Sequence, residues 1–152
     1  MYLLITRTFP PELGGMQNLM WGLARSLAKL NLIKVFADFH ENHEEFDSSV
    51  SFSIERVSGM KLIRKYRKSY LINDYLENNK KVECLIADHW KSLELIKTNK
   101  KILLISENKP EFKTNFIYRQ EILESNFFGK SFTTCIIKDH IKGLYSIPLL
   151  FS

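Results

Sequence analysis

Residues Thr6 to Gln17 (TRTFPPELGGMQ) have the composition of a loop that could bind an anion. The segment holds two of the four prolines and two of the six glycines, Gly14 and Gly15. An apolar run, MYLLI, precedes it, and residues 16–30 follow with apolar side chains at helical spacing. A glycine pair that opens a helix after a strand exposes backbone N–H groups at the positive end of the helix dipole, where phosphates bind. The alternative interpretation is a connection whose glycines serve only packing.

A second group of chemically active residues is basic. The segment KLIRKYRK places five cationic residues among apolar ones: Lys61, Arg64, Lys65, Arg67 and Lys68. Such a helix could face an anionic membrane surface. The alternative is a solvated amphipathic helix that covers the sheet, since charge runs are usually exposed. No nucleic-acid reader motif accompanies the patch, so we predict no nucleic-acid partner.

A third group follows the apolar run ECLIA. His89 could donate a hydrogen bond to a sugar and Trp90 could stack on one, or Trp90 could be the first buried residue of a helix. His40 and His43 lie in an acidic stretch without thiolate partners, so we predict no metal site.

The elements that must position these residues alternate along the chain. Apolar runs predict strands at residues 1–5, 32–39, 50–57, 83–88, 101–106 and 131–137. Helical periodicity predicts helices at residues 16–30, 61–81, 90–97 and 115–128, with a further helix starting within 138–145. Residues 40–49 (HENHEEFDSS) and 107–115 are predicted as loops. This alternation predicts an α/β fold, a doubly wound and mostly parallel Rossmann-like sheet with helices on both faces.

The predicted fold also indicates where a ligand would bind. In an open parallel sheet the site lies beyond the carboxyl ends of the strands, near the switch point of the strand order. Three segments end there: residues 6–15, residues 88–90 and residues 106–111. The chain has neither a G-x-G-x-x-G fingerprint nor a phosphate-binding P-loop, which argues against a nicotinamide dehydrogenase and a P-loop nucleotidase.

Length and composition restrict the class of protein. A chain of 152 residues is about one domain, and a formal charge of +5 makes it mildly basic. Cys84 and Cys135 lie in strand-like runs and are predicted to be reduced core residues. Without a signal-like segment or a run of roughly 20 apolar residues, the expected location is cytoplasmic. The sequence stops on an apolar stretch, GLYSIPLLFS, so we expect a truncated chain, with a terminal edge strand as the alternative.

The segment FPPELGGMQNLMWGLARSLAKL, residues 9–30, resembles the opening of family 4 glycosyltransferases of the GT-B fold. Those enzymes begin with a strand, a Phe-Pro-Pro-x-x-Gly-Gly loop and a helix rich in Leu-Ala-x-x-Leu. Residues 86–90 (IADHW) resemble a second segment of the family, at the end of a middle strand. The order of elements agrees over most of the chain, and the first 40 residues match in detail.

The resemblance implies a hexosyltransferase that moves a sugar from a nucleotide-diphosphate donor to a saccharide or lipid-linked acceptor, with no metal cofactor. Residues 1–152 would be the N-terminal, acceptor-side domain, with the donor diphosphate at Gly14 and Gly15. The implied acceptor pocket comprises Met16, Gln17, Asp88, His89, Trp90 and Glu107. Relatives with lipid acceptors use basic N-domain helices on the inner face of the membrane, as Lys61–Lys68 could.

This chain departs from the family pattern in two ways. Relatives carry a His-Gly-x-Glu-like element after the strand that corresponds to KILLIS, and SENKPE stands there, with Glu107 or Glu111 as substitutes for the histidine. Nothing corresponds to the C-terminal donor-binding domain with its Glu-x7-Glu motif, so no catalytic residue is assigned. We expect the chain to be inactive alone. It could be a gene fragment, a split enzyme whose donor-binding domain is a separate partner chain, or a remnant. The alternative function is a non-catalytic Rossmann-like module that binds a phosphorylated ligand or a partner subunit.

Overall fold

The structure, a computed structural model, describes residues 1–30, 32–106, 119–127 and 130–138. Seven strands form one sheet: β1 (Tyr2–Ile5), β2 (Ile33–Asp38), β3 (Ser53–Val57), β4 (Cys84–Ala87), β5 (Lys101–Ser106), β6 (Arg119–Phe127) and β7 (Lys130–Lys138). The helices of the described ranges are α1 (Gly15–Leu30), α2 (His43–Ser49) and α3 (Lys61–Asn78), with a single 3₁₀ turn at Trp90–Ser92.

The strand order in the sheet is β3-β2-β1-β4-β5-β7-β6. The first five strands in this order are mutually parallel, while β7 pairs antiparallel with both β5 and β6. This arrangement confirms the predicted Rossmann-like α/β class. Because the order reverses between β1 and β4, the crevice beyond their carboxyl ends is the expected ligand position.

The two faces of the sheet carry separate apolar cores, because successive strand residues point to opposite faces. On one face Leu4 and Val35 pack with Met20 and Leu23 of α1. On the other face Leu3, Phe36 and Leu85 pack with the second half of α3, through Ile72 and Leu76. Helices therefore cover both faces, as predicted. No helix in the described ranges is long and apolar enough to cross a membrane.

The prediction of a loop at residues 40–49 is wrong, because His43–Ser49 forms α2. Its first turn carries Glu44 and Glu45, which favour the positive end of the helix dipole. His43 Nδ1 lies 3.1 Å from Asp47 Oδ2 one turn later. Phe46 packs against the core beside α1, and that tertiary contact selects the helix in a segment whose composition is polar.

The predicted helix at residues 115–128 is also wrong over its described part, which forms β6. Residues Arg119–Phe127 pair along their whole length with β7, down to Phe127 opposite Lys130. Only two residues of the sequence separate the two strands. The apolar spacing of Ile122 and Leu123 fits a helix locally, but pairing with β7 decides the outcome. The predicted loop at 107–115 lies outside the described residues, as does the C-terminal helix beyond Lys138.

The predicted helix at residues 90–97 shortens to the 3₁₀ turn at Trp90–Ser92. The side chain of Asn73 of α3 makes hydrogen bonds with the backbone of the residues that follow this turn. Its Oδ1 accepts from the N–H of Lys97 at 2.8 Å, and its Nδ2 donates to the carbonyl of Leu95 at 3.0 Å. The segment after the turn is thus held against α3.

The loop between β1 and α1 is fixed to the body of the protein by Phe9 and Arg56. Phe9 is 1% exposed and makes edge contacts with Trp21 and Phe46, at centroid distances of 6.2 and 6.1 Å. Arg56 donates from Nη2 to the carbonyl of Pro10, forms an ion pair with Asp47 at 2.7 Å, and covers the Phe9 ring. The loop is therefore a packed part of the fold.

We expect Phe9→Ala to lower the free energy of unfolding by about 3–5 kcal/mol, because it leaves a cavity under the loop. Leu13→Ala is the matched control in the same loop, since Leu13 is 88% exposed. That change should stay within about 0.5 kcal/mol. Urea unfolding followed by fluorescence measures both variants, and equal losses would contradict the packed position of Phe9.

Candidate functional site

The loop meets the carboxyl ends of β1 and β4 through Asp88. The Thr6 hydroxyl donates to Asp88 Oδ2 at 2.6 Å, and the backbone N–H of Arg7 donates to the same oxygen at 3.1 Å. Asp88 is 7% exposed, and its Oδ1 has no hydrogen-bond partner among the described residues. One oxygen of this carboxylate therefore holds the loop at the switch point, and the other is buried there.

The N-terminus of α1 opens at the same edge of the sheet. The Gly14 carbonyl accepts the first helical bond, from the Asn18 N–H at 3.0 Å. The N–H groups of residues 15–17 make no hydrogen bond to any described residue, and the first turn has no acidic side chain. These groups leave the positive end of the helix dipole available to an anion.

Gly14 lies close to the side chain of Gln17. A Cβ at this position would meet the Gln17 carboxamide, with Gln17 Oε1 nearest and Cδ at 2.9 Å. Because that side chain is flexible, the space above Gly14 can be reorganised without moving backbone. Gln17, a predicted acceptor residue, thus lies over the glycine pair.

His89 follows Asp88 and is half-buried. Its Nδ1 accepts the backbone N–H of Lys91 at 3.1 Å, which places the proton of the neutral imidazole on Nε2. Burial lowers the pKa of His89, and the nearby Arg7 cation lowers it further, against a smaller opposing effect of Asp88. The imidazole is therefore held in its neutral form over more of the acidic range than an exposed histidine.

A cleft lies between the carboxyl edge of the sheet and the first half of α3, with a volume of about 410 Å³. We call it the α3 cleft. Six cationic and two acidic side chains are part of its wall. It is lined by Arg7, Thr8, Glu12, Asp38, Phe39, Lys61, Arg64, Lys65, Lys68, Ser69, Lys91 and Ser92.

Asp38, at the end of β2, organises the floor of the α3 cleft. Its Oδ1 accepts from Lys68 Nζ at 2.6 Å, and its Oδ2 lies 2.9 Å from Arg64 Nε. Lys68 Nζ also donates to the Thr6 carbonyl at 2.9 Å. Because the Lys68 side chain is only 6% exposed, the prediction that it faces a membrane is wrong for this residue. A buried ammonium needs these oxygen partners, and the end of the sheet supplies them.

The rest of the predicted basic patch is divided among several positions. Lys65 pairs with Glu94 at 2.6 Å, and Arg67 donates to the Ser58 carbonyl at 3.1 Å. Lys61, Arg64 and Lys65 line the α3 cleft. The outward side of the same helix is instead rich in exposed apolar side chains: Met60, Leu62, Ile63, Tyr66 and Tyr70.

The structure brings together part of the predicted site. The Thr6–Gln17 loop contributes Arg7, Thr8 and Glu12 to the α3 cleft, whereas Gly14–Gln17, Asp88 and His89 do not line it. Trp90 begins the 3₁₀ turn, and Glu107 lies outside the described residues. Sequence reasoning did not assign a site role to Arg7, Asp38, Lys91 or Ser92. The rule that ligands bind at strand ends could have found Arg7 and Asp38, which follow or end β1 and β2.

Within the described residues, no group of three or more histidine, cysteine, aspartate or glutamate side chains could hold a metal ion. No protein-family model matches the sequence, and a search of curated proteins finds no match. The function is therefore argued from the fold and from the side chains at the carboxyl edge of the sheet.

The pKa of His89 tests the electrostatics of this edge. We expect NMR to show that the His89 imidazole titrates with a midpoint below pH 6.5. Arg7→Gln should raise that midpoint, because a neighbouring cation is removed. Lys91→Gln should raise it less, and Arg67→Gln should leave it unchanged. Since the folded pKa is depressed, His89 contributes stability above pH 6.5 that is lost as the pH falls through the folded pKa. A midpoint unchanged in Arg7→Gln would contradict the assigned proximity.

Proposed function

We propose that this chain is the acceptor-side half of a glycosyltransferase, which transfers a sugar from a nucleotide-diphosphate sugar to a saccharide or lipid-linked acceptor. The observation that carries the proposal is the attachment of the Thr6–Gln17 loop to Asp88 at the switch point, with the α1 N-terminus at the same edge. This is the position at which doubly wound sheets bind their ligands. The Phe-Pro-Pro-x-x-Gly-Gly pattern of the loop adds the likeness to glycosyltransferases.

The donor side of the proposed site is the start of α1. A diphosphate would receive hydrogen bonds from the N–H groups of residues 15–17, which make none to the described protein. Gly15 is exposed, so phosphate oxygens could approach its backbone directly. A second domain facing this edge would bind the sugar of the donor and make most of the contacts to its nucleotide.

The acceptor side of the proposed site extends from His89 and Trp90 toward the α3 cleft. A neutral His89 with its proton on Nε2 can act as a hydrogen-bond donor to an acceptor hydroxyl. Such a donor orients the hydroxyl, and bringing the two reactants into line is a large part of catalysis in a transfer reaction. No catalytic residue is assigned within this half.

The alternative function is a module that binds a phosphorylated ligand or a partner subunit without catalysis. The observation that favours it is the concentration of six cationic side chains in the α3 cleft of this one domain. Sugar transfer by the chain together with a donor-binding domain would support the enzyme. Ligand binding without transfer in that pairing would support the module.

Gly15→Asp is expected to abolish diphosphate binding in the chain joined to a donor-binding domain. An aspartate in the first turn suits the helix dipole, so α1 should stay folded while its carboxylate repels the phosphates. Gly22→Asp is the matched control, because a Cβ at Gly22 meets nothing within 4 Å. Calorimetric titration with the nucleotide sugar should show no affinity in the first variant and unchanged affinity in the second. Donor affinity that survives Gly15→Asp would refute the phosphate role of α1.

We further propose that the outward side of α3 contacts an anionic membrane surface when the acceptor is lipid-linked. Leu62 is 67% exposed and Tyr66 is 58% exposed, and Arg67 lies beside them on the outer surface. Exposed apolar side chains next to cations suit the boundary between headgroups and acyl chains. This surface adjoins the α3 cleft, because Lys61 and Lys65 on the same turns line that cleft.

Sedimentation with vesicles of phosphatidylcholine and phosphatidylglycerol tests this surface. Leu62→Glu should reduce the bound fraction about tenfold, because an apolar insertion is lost and a repelling charge is added. Leu30→Glu on α1 is the control, since Leu30 is 82% exposed at the opposite face of the sheet. Binding that is equal in the two variants, or absent from the wild type, would show that the outward side of α3 is an ordinary solvated surface.

A further inference from the structure

We infer that the α3 cleft binds the phosphate group of a phosphorylated saccharide. That this ligand is the acceptor rests on the proposed function, whereas phosphate binding by the cleft does not. The site is separate from the proposed donor site, because none of the residues at the α1 N-terminus lines the cleft.

The first observation is that the cationic charge of the cleft is only partly neutralised. The single charge of Asp38 is shared between two cations of the cleft, Lys68 and Arg64, through contacts of 2.6 and 2.9 Å. Arg7 and Lys61 line the same cleft from the loop and from α3, and neither forms an ion pair with a described residue. Cations held around one concavity raise the local concentration of anions there.

The second observation is Ser92, which lines the α3 cleft and is 8% exposed. Its hydroxyl is buried, and Oγ has no hydrogen-bond partner among the described residues. The residue is held in place by its backbone, since its N–H donates to the His89 carbonyl at 3.0 Å. Buried hydroxyl groups in native proteins are normally paired. Rotation of this side chain toward the cleft would let a ligand oxygen there satisfy the hydroxyl.

The chemistry of these side chains favours phosphate. A phosphomonoester carries close to two negative charges at neutral pH and presents three acceptor oxygens. The guanidinium of Arg7, the ammonium of Lys61 and the hydroxyl of Ser92 supply charge-assisted and neutral donors from three different elements. A carboxylate has one charge and would use fewer of these donors.

The size of the α3 cleft favours a saccharide attached to that phosphate. A volume of about 410 Å³ falls in the range of small-molecule sites and exceeds what one phosphate needs. Phe39 on the cleft wall is 45% exposed and offers an aromatic surface to a sugar ring. Glu12 at the cleft can accept hydrogen bonds from sugar hydroxyls. A soluble sugar phosphate has all of this chemistry, whereas the headgroup of a glycophospholipid offers the sugar with a phosphodiester of one negative charge.

Titration of the whole chain with hexose 6-phosphate tests the inference, with the unphosphorylated hexose as the comparison ligand. We expect saturable binding of the phosphorylated sugar, weakened about tenfold by Arg7→Gln and by Lys61→Gln, since each removes a charged donor. Lys29→Gln is the control, because it removes an equal charge from the last turn of α1. Equal affinity for the two sugars, no binding of phosphate, or an equal effect of Lys29→Gln would overturn the inference.

Ser92→Ala gives an independent readout. It removes a buried hydroxyl without a partner, so the thermal midpoint of the free chain should stay the same or rise while affinity for hexose 6-phosphate falls several-fold. A loss of stability with unchanged affinity would show that Ser92 serves only the fold, and would remove it from the site.

A second arm identifies the source of the phosphate. The same variants are sedimented with phosphatidylcholine vesicles that contain phosphatidylinositol. Loss of vesicle binding in Arg7→Gln, but not in Lys29→Gln, would assign a lipid headgroup, and selective loss of hexose phosphate binding would assign a soluble ligand. Transfer is assayed with the chain joined to a donor-binding domain. Phosphate binding without sugar transfer in that pairing contradicts the proposed function and leaves the cleft assignment intact. Sugar transfer in that pairing without phosphate binding by the cleft supports the proposed function and overturns the cleft assignment.

Discussion

The buried ammonium of Lys68 ties together three elements on which the candidate site depends. Its Nζ donates hydrogen bonds to the carbonyl of Thr6, directly after β1, and to Asp38 at the end of β2. The backbone of Lys68 itself belongs to α3. A charge that is 6% exposed is stable only where such partners are fixed. Burying it therefore fixes how α3 lies over the carboxyl edge. The remaining cations of the first turns are then directed toward the α3 cleft.

This arrangement explains why one helix has two different environments. The second half of α3 packs on the sheet with Ile72 and Leu76 in the core. The first half lies beside the polar ends of the strands, where Asp38 and the Thr6 carbonyl replace apolar neighbours. Four of its five cations line the α3 cleft, whereas Arg67 and apolar side chains such as Leu62 remain outside. This distribution, with most cations toward the sheet and apolar side chains outside, is a consequence of where the first half of α3 lies along the sheet. It leaves an apolar surface next to a basic cleft.

Sequence periodicity is sufficient to predict the elements whose apolar residues recur in a regular pattern, and insufficient where contacts with another element decide the conformation. The strands β1, β2, β4 and β5 are compact apolar runs, and α1 repeats its apolar side chains over four turns. α2 and β6 were missed because their conformations depend on Phe46 packing and on pairing with β7. The anion-binding character of the Thr6–Gln17 loop remains a prediction. The α3 cleft could not be predicted, because the sequence KLIRKYRK does not indicate which of its cations face the sheet.

Asp88 connects the two proposed binding regions. Its Oδ2 accepts hydrogen bonds from the Thr6 hydroxyl and the Arg7 backbone N–H. The same carboxylate therefore fixes the start of the loop that leads to Gly14, and it fixes Arg7, which lines the α3 cleft. The Arg7 side chain that would bind a phosphate is attached to a main chain that is already fixed. Binding would therefore cost less conformational entropy. On the proposed function, acceptor and donor would thus be positioned from one rigid point at the switch of the sheet. That geometry suits a transfer reaction, in which the rate depends on the alignment of two bound reactants.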